Sequence, residues 1–309
     1  SGNVVFLFSY PQNGFKAILE DREGKRYDYS AFFTSSLTQC TNLISQDFKQ
    51  QLLICHSQGI LLQTVKASDA IAHVLPETPI RAMVELPGQK TLITTQASLK
   101  KFIYENRTGQ LVPWENPACN LFWAKLLKDK DGFIWGVGNG SFVKYDPINN
   151  TCEKYTAPTI VRNVIALMGD DRIAFSRDDQ LAFFDLKNKE VSTFKVNGKP
   201  LKISGVVHDM LYSSSGLLWI ATTKGLVKVD VKRQSSEVIG LGEPFLDFRF
   251  LCIHEDEKGW LWLGTPLGGI HMYNPATGEL KILNSRDGLA NNTVVSILAD
   301  DDGDRWVGT

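Results

Sequence analysis

The sequence predicts an all-β protein, a seven-bladed β-propeller of four-stranded antiparallel blades, and three observations support this. A D/S-x-x-G-x-x-W phrase recurs along the chain, its copies lie one blade apart, and the segments between them alternate apolar and polar residues. The phrase ends at four tryptophans, Trp135, Trp219, Trp262 and Trp306. Recurrence at a fixed spacing indicates that one structural unit is repeated along the chain.

Weaker copies extend the repeat toward the N-terminus. The segments QLLICHSQGILL, TLITTQASLKKF and RIAFSRDDQLAFF keep the strand pattern without the tryptophan, around Leu53, Leu92 and Ala174. A degenerate copy, VVFLFSYPQNGFKAIL, places Phe8 in the same register. Successive marked positions are about 40 to 45 residues apart, which is the length of a four-stranded propeller blade. We therefore expect residues 1–309 to form a single propeller domain.

The unit around Trp262 illustrates how the strands are predicted. FRFLCIHED at 248–256 alternates apolar and polar residues, WLWLGT at 260–265 and GGIHMY at 268–273 follow short turns, and LKIL at 280–283 follows NPATGE. Four short runs separated by Gly, Pro, Asn and Asp predict two successive hairpins. In each D-x-x-G turn we expect the Asp carboxylate to accept backbone N–H groups and the Gly to take a positive φ. The Trp is expected to pack between neighbouring blades.

Both ends of the sequence are predicted to share the blade that closes the ring. GFKAILE at 14–20 and KRYDYS at 25–30 are typical of an outer hairpin, and TVVSILAD at 293–300 is typical of an inner strand. Sharing one blade between the chain ends leaves no open sheet edge. VVFLFS at 4–9 and RWVGT at 305–309 then compete for the second strand. The alternatives are eight blades with one incomplete, or a second propeller that begins with RWVGT.

Composition excludes some classes of partner. The chain is 43% hydrophobic with a formal net charge of -1, so it has no basic surplus for nucleic acid. No apolar run is long enough to cross a bilayer, and SGNVVFLFSY lacks the basic start and cleavage site of a signal peptide. Any targeting segment is therefore expected to lie outside this sequence.

Cysteine and histidine spacing predicts neither a metal site nor a cofactor. The cysteines lack a C-x-x-C pair, and the histidines fall on different blades without the arrangement of a triad. Cys40 and Cys55 flank a predicted hairpin and are the one candidate disulfide, although reduced thiols are favoured. The remaining residues of the two types are Cys119, Cys152, Cys252, His56, His73, His208, His254 and His271.

Four phrases carry a resemblance to a known family: DDDGDRWVGT, DEKGWLWLGT, SSSGLLWIATTKGLVKVD and DKDGFIWGVGNGSFVKYD. They resemble the two-component regulator propeller repeat of periplasmic sensor regions in hybrid histidine kinases of gut Bacteroidetes. The linker G-L-x-N-N-x-V at 288–294 matches as well. The resemblance covers residues 120–155 and 206–309, whereas 1–119 and 160–200 depart from it.

This resemblance implies a periplasmic sensor fragment without catalytic activity. It would be the N-terminal propeller of a larger ectodomain, followed by a second propeller, an immunoglobulin-like domain, a transmembrane helix and a cytoplasmic kinase, all outside this sequence. Oligosaccharides from glycans are the implied signals, and homodimerisation is the implied state of the whole ectodomain. No membrane span is expected within the present chain.

The loops that join each outer strand to the next inner strand are the expected ligand site. Trp114 is a candidate to stack on a sugar ring, and Glu115 stands beside it. Four cationic residues in or near such loops are candidates to meet sulfate or carboxylate groups: Arg162, Lys199, Arg249 and Arg286.

Two other classes of function fit the same fold. A propeller lyase or glycoside hydrolase would use carboxylates from Glu115, Glu243, Asp247 and Asp287. Hydrolysis needs two carboxyl groups about 5 to 10 Å apart, and nothing in the sequence pairs any two of these. A protein-interaction scaffold would instead show a broad exposed patch without a deep polar pocket. The sequence favours the sensor, then the scaffold, then the enzyme.

Overall fold

The computed structural model describes two parts of the chain in different detail. Up to residue 81 it gives the backbone of the strands, at positions 4–10, 14–20, 26–28, 40–46, 51–56, 59–64, 71–76 and 80–81. From residue 82 onward it also gives side chains, over 82–95, 100–105, 108, 110–119, 123, 125–138, 141–156, 164–169, 171–239, 249–289, 291–297, 305 and 307–308, with the backbone of 298–299 and 306.

The chain folds as an all-β propeller of small antiparallel sheets. One sheet, sheet 1, combines strands from both ends of the described chain: β1 (Val4–Tyr10), β2 (Gly14–Glu20), β3 (Arg26–Asp28), β30 (Ser296–Ala299) and β31 (Arg305–Gly308). The other sheets of the described residues, apart from one two-stranded hairpin, each contain four strands in sequence order.

The strands of these sheets alternate direction along the chain. Sheet 2 contains β4 (Cys40–Gln46), β5 (Gln51–His56), β6 (Gly59–Thr64) and β7 (Ile71–Pro76), and sheet 3 contains β8 (Ile80–Leu86), β9 (Lys90–Thr95), β10 (Lys101–Glu105) and β11 (Gln110–Trp114). Sheet 4 contains β12 (Lys125–Lys128), β13 (Ile134–Gly138), β14 (Ser141–Asp146) and β15 (Thr151–Thr156), and sheet 5 contains β16 (Ile165–Met168), β17 (Arg172–Arg177), β18 (Gln180–Asp185) and β19 (Val191–Thr193). Sheet 6 contains β22 (Val207–Tyr212), β23 (Leu218–Thr222), β24 (Gly225–Asp230) and β25 (Ser235–Ile239), and sheet 7 contains β26 (Cys252–Glu255), β27 (Leu261–Gly264), β28 (Ile270–Tyr273) and β29 (Leu280–Leu283).

The repeat predicted from the sequence is confirmed, because each marked position in sheets 2 to 7 falls on the second strand of its sheet. Leu53, Leu92, Trp135, Trp219 and Trp262 lie on β5, β9, β13, β23 and β27. Ala174 lies on β17 in the same way. In sheets 2 to 7 the first strand is the innermost, since β4 contacts β8, β8 contacts β12, and β22 contacts β16 and β26. In sheet 1 this position belongs to β30, which contacts β4 and β26.

The closing sheet differs from the prediction in one respect. Residues 4–9 and 305–309 were expected to compete for one position, but the structure places the strands Val4–Tyr10 and Arg305–Gly308 side by side as a parallel pair. Val5 lies opposite Trp306 in this pairing, while β31 pairs antiparallel with β30 and β1 with β2. A parallel pair can form here because the two strands come from opposite ends of the chain and need no hairpin between them.

The hydrophobic core lies between neighbouring sheets. Trp135 and Phe142 of sheet 4 pack against Phe175 and Phe184 of sheet 5, with the Phe142 and Phe184 ring centroids 5.0 Å apart. Four further clusters join sheets 3 and 4, 5 and 6, 6 and 7, and 7 and 1 in the same manner. The prediction that the tryptophans pack between blades is therefore confirmed for the described copies.

An added hairpin lies between sheets 5 and 6, where the sequence predicts only a linker. The strands β20 (Lys195–Val196) and β21 (Lys199–Pro200) are joined by Asn197 and Gly198, both with positive φ. Phe194 and Ile203 at its base are buried, and the Leu201 carbonyl accepts the Leu181 backbone N–H at 3.2 Å. The hairpin is thereby fastened to sheet 5 and carries Lys199 at its exposed tip.

Candidate ligand cleft

Of the candidate ligand residues, the structure brings Trp114 and Glu115 together in one cleft. Arg162 lies outside the described residues. Lys199 is exposed at the tip of the added hairpin, Arg249 is exposed just before sheet 7, and Arg286 is exposed in the linker from sheet 7 to sheet 1. None of these three lines the cleft at Trp114.

The Trp114 cleft has a volume of about 550 Å³ and lies beside the outer hairpin of sheet 3. Its walls come from the end of β11, from the linker that follows it, and from the start of β10. The residues that line it are Lys100, Lys101, Phe102, Pro113, Trp114, Glu115, Asn116 and Pro117. A concave site that combines aromatic, cationic and amide groups is suited to a polar organic ligand.

Two buried aromatic rings, behind the residues that line this cleft, pack against Trp114. The half-buried Trp114 ring lies 5.6 Å from Trp123 and 5.1 Å from Tyr145, measured between centroids. Trp123 is 1% exposed, so the cluster is continuous with the core between sheets 3 and 4. Packing on two neighbours restricts the Trp114 rotamer and gives it a fixed ring for stacking.

Lys101 is the residue of this cleft that the sequence interpretation missed. It is 4% exposed, and its Nζ atom lies 4.9 Å from the Trp123 ring and 5.7 Å from the Trp114 ring. Burial lowers the pKa of Lys101 to about 8, because removing water disfavours the charged form. The repeat contains a signal that would have found it, since the corresponding positions of sheets 4 to 7 are apolar.

The linker after Trp114 is anchored to sheet 4. The Asn116 side chain donates from Nδ2 to the Asn150 carbonyl at 2.9 Å, and its Oδ1 accepts the Ala118 N–H at 3.0 Å. A short 3-10 turn, Pro117–Cys119, follows, and Cys119 forms a disulfide with Cys152 on β15. The lip of the cleft is thus tied both to its own sheet and to the next one.

This disulfide corrects the interpretation of the cysteines. Reduced thiols were favoured, with Cys40 and Cys55 as the one candidate pair, but the bond joins Cys119 and Cys152 with their Cα atoms 5.6 Å apart. The side chains of Cys40 and Cys55 lie outside the described residues, so their pairing stays a prediction. A disulfide fits a protein that matures in an oxidising compartment.

A second polar cluster lies on the inner strands. Lys125 on β12 bonds through Nζ to Asp209 Oδ1 on β22 at 2.5 Å, so the ion pair spans sheet 5. Asp209 Oδ2 accepts the Ile253 N–H of sheet 7 at 3.1 Å. The carboxylate therefore links three sheets, which indicates a role in holding the ring together.

The carboxylates proposed for the enzyme alternative do not converge on the cleft. Glu115 is the single carboxylate among the described residues that line it. Asp287 accepts the Asn284 backbone N–H at 3.1 Å within another linker, while Glu243 and Asp247 lie outside the described residues. Nor do the described residues group three or more His, Cys, Asp or Glu side chains in a way that would hold a metal ion.

The described residues include no helix with the length and apolar character needed to cross a membrane. This finding concerns the described part of the chain alone.

Solved structures show similarity to the whole chain, although no protein-family model matches and no curated protein is similar in sequence. The extracellular domain of a hybrid two-component system from B. thetaiotaomicron superposes with a TM-score of 0.72 at 15% identity, covering 98% of this chain and 43% of that one. The extracellular domain of a one-component system from the same organism gives 0.58 at 12% identity, covering 99% and 50%.

Enzymes with the same fold are also similar. Virginiamycin B lyase from Staphylococcus aureus superposes with a TM-score of 0.56 at 14% identity, covering 74% of this chain and 77% of that one. Identities this low demonstrate the propeller fold alone. The first two neighbours match the family that the sequence repeats resemble, and the chain spans half or less of their length.

Proposed function

We propose that this chain is an extracytoplasmic sensor domain that binds an oligosaccharide in the Trp114 cleft. In this proposal it belongs to a longer receptor that relays the signal to a histidine kinase outside this sequence. The observation that carries the proposal is the cleft of about 550 Å³ beside a tryptophan fixed by Trp123 and Tyr145. Aromatic faces and converging polar groups are the features with which proteins hold sugar rings.

Two further findings support placement outside the cytoplasm, in the periplasm. The two-component neighbours are extracellular domains, and the Cys119–Cys152 disulfide is expected to persist in an oxidising compartment. Those neighbours are about twice as long as this chain, which is consistent with an N-terminal propeller followed by a second propeller and an immunoglobulin-like domain. Homodimerisation through those further domains is part of the same proposal.

We also infer a single domain in the form of a ring of seven blades. Six four-stranded sheets and the five-stranded closing sheet account for seven, and the added hairpin of sheet 5 does not contribute another. Contacts between the first strands of neighbouring sheets support closure, because β30 of sheet 1 contacts β4 of sheet 2 and β26 of sheet 7. The eight-bladed alternative would need a further sheet.

A catalytic role is disfavoured by the composition of the cleft. Similarity to a lyase fold leaves the enzyme alternative in place, yet Glu115 has no second carboxylate beside it among the described residues of the lining. General acid and base catalysis of glycoside cleavage uses two such groups. The domain therefore binds an oligosaccharide without cleaving it.

Calorimetric titration against a panel of plant and host oligosaccharides tests the proposal. Binding by the wild type should weaken at least tenfold in Trp114→Ala, because about 1.4 kcal/mol of stacking corresponds to one order of magnitude in Kd. Trp260→Ala is the matched control. Trp260 is also half-buried and lies 4.5 Å from the Nζ atom of a lysine, Lys281, but it stands just before β27, away from the cleft.

Three outcomes would contradict the proposal. The first is that no oligosaccharide binds, which would favour the protein-interaction scaffold. The second is that Trp114→Ala and Trp260→Ala bind as the wild type does, which would place the site elsewhere. The third is that analysis of the solution after titration shows cleaved ligand, which would favour the enzyme.

A further inference from the structure

Lys101 is a charged residue at a strand position where sheets 4 to 7 have a buried apolar residue. In sheet 3 the marked residue Leu92 pairs with Ile103 on the third strand, and Lys101 lies two residues before Ile103. The same count on the third strands of the other sheets gives the equivalent positions. In sheets 4 to 7 those residues are apolar and 0% exposed: Phe142, Leu181, Leu226 and Ile270. Sheet 3 therefore carries a lysine where the fold itself calls for a core residue.

Burying an ammonium group at a core position lowers the stability of the fold, and the other sheets form without one. Removing a charge from water costs several kcal/mol, and an apolar residue of similar volume would remove that cost. Lys101 nevertheless lies beside the Trp114 and Trp123 rings, whose faces attract a cation. A lysine at a core position in the wall of a cleft indicates a use in that cleft.

The surroundings of Lys101 favour an anion over a neutral group. Among the described residues that line the cleft, Lys100 and Lys101 are cationic and Glu115 is anionic, so this part of the lining carries a net positive charge. Lys100 and Glu115 are exposed and their charges are screened by water, whereas Lys101 is buried. A desolvated ammonium forms a stronger hydrogen bond with an anionic oxygen than it would in water.

We propose that Lys101 recognises an anionic group, a carboxylate or a sulfate, on the oligosaccharide that occupies the Trp114 cleft. This inference rests on the proposed function and narrows its ligand to acidic sugars. The sugar ring stacks on Trp114, and its acidic substituent reaches the Lys101 Nζ atom next to that ring. Lys101 is thus the residue that sets specificity between acidic and neutral ligands of the same size.

Paired ligands that differ only in charge give the sharpest test. Trigalacturonate is compared with its methyl ester, and a sulfated chondroitin disaccharide with its desulfated form, by calorimetric titration at pH 7. The wild type is expected to bind at least one acidic member ten times or more tightly than its neutral counterpart. The pair that shows this preference tells whether the recognised group is a carboxylate or a sulfate.

Lys101→Leu is the informative variant, because leucine is what sheet 6 carries at this position and the fold should accept it. It should lose the preference for the acidic ligand, with Kd rising tenfold or more, while the neutral counterpart changes less than twofold. Lys187→Met is the charge-matched control, since Lys187 is exposed on the turn of sheet 5 after β18. Lys101→Arg, which keeps the charge, should retain part of the preference.

Binding should also depend on pH in a way that belongs to Lys101. The pKa of about 8 leaves the ammonium charged at neutral pH and neutral above pH 9. Affinity for a sulfated ligand, whose own charge is constant, should therefore fall between pH 7 and pH 10 in the wild type and stay flat in Lys101→Leu.

Several results would overturn the inference. Equal binding of acidic and neutral members by the wild type, or an unchanged acidic preference in Lys101→Leu, would contradict it while the Trp114→Ala result still supported the sensor. If neither member of any pair binds, the inference falls together with the proposed function.

Discussion

The first hairpins of sheets 4 and 6, which join the first strand to the second, show what the Asp of the repeated phrase contributes. In sheet 4, Asp129 Oδ1 accepts the backbone N–H groups of Asp131 and Phe133 at 3.0 and 2.9 Å, and Oδ2 accepts the Trp135 indole N–H at 2.8 Å. In sheet 6, Ser213 has one oxygen, which accepts the Leu217 N–H at 3.2 Å. Gly132 and Gly216 have positive φ in both turns.

The difference separates two tasks of the aspartate. One side-chain oxygen suffices to shape the turn, because the main chain forms the same hydrogen bonds in both sheets. The Gly132 N–H donates to the Asp129 carbonyl, and the Gly216 N–H donates to the Ser213 carbonyl. The second oxygen serves the tryptophan, and without it the buried Trp219 indole N–H has no acceptor among the described residues. Asp256 and Trp262 of sheet 7 repeat the sheet 4 arrangement at 3.0 Å.

The largest effect is expected from Asp129→Ala. It removes two hydrogen bonds to the turn and leaves the buried Trp135 indole N–H unpaired, so the free energy of unfolding should fall by about 3 kcal/mol. Urea denaturation measures the change. Asp129→Asn keeps one side-chain oxygen, which can accept either the N–H groups of the turn or the Trp135 indole N–H. It should therefore lower the free energy of unfolding by less, about 1 to 2 kcal/mol.

A smaller effect of opposite sign is expected from Ser213→Asp. The new carboxylate would supply the missing acceptor for Trp219 and raise the free energy of unfolding by about 0.5 to 1 kcal/mol. The nearby Glu255, which accepts the Ser214 N–H at 2.7 Å, limits the gain by repulsion. In a Trp219→Phe background the gain should vanish, and its persistence there would show that the indole bond is not its source.

The smallest effect at neutral pH is expected from His254→Leu. His254 lies opposite Trp262 in sheet 7, where sheets 4 and 6 place Leu127 and Leu211. Burial, with a contribution from Arg305, lowers the pKa of His254 to about 4, whereas Asp256 and Glu257 act in the opposite direction.

The sign of the pH dependence follows from that shift. Between pH 6.5 and 4 the unfolded chain binds a proton on His254 that the folded chain does not, so stability is lost as pH falls through this window. The Leu variant should lack this part of the loss. Denaturation midpoints for both proteins at pH 7 and pH 4.5 provide the measurement, and an equal drop in both would contradict the assignment.

The sequence predicted the strands best in the repeats that keep the Asp, the Gly and the Trp of the recurring phrase. The strands around Trp262 were predicted at 260–265 and 280–283 and are found at Leu261–Gly264 and Leu280–Leu283. The added hairpin was missed, although Asn197-Gly198 is a strong local turn signal, because it sits inside a segment interpreted as a linker. The parallel pair of the closing sheet follows from ring closure and has no local signature.

The candidate site was predicted in part. Trp114 and Glu115 were identified as aromatic and polar residues in a linker, but residue type could not tell which linkers form a cleft, and Lys199, Arg249 and Arg286 lie outside it. Lys101 was missed because a lysine in a strand is usually solvated, and its burial emerges only when the sheets are aligned. The Cys119–Cys152 bond joins a linker to the next sheet, which single-sequence spacing does not specify.

A crystal structure of the chain with the tightest-binding acidic oligosaccharide tests the central claim most directly. We predict a sugar ring stacked on Trp114 with its carboxylate or sulfate within about 3 Å of Lys101 Nζ. A ligand found instead beside Lys199, Arg249 or Arg286, with the Trp114 cleft unoccupied, would contradict it.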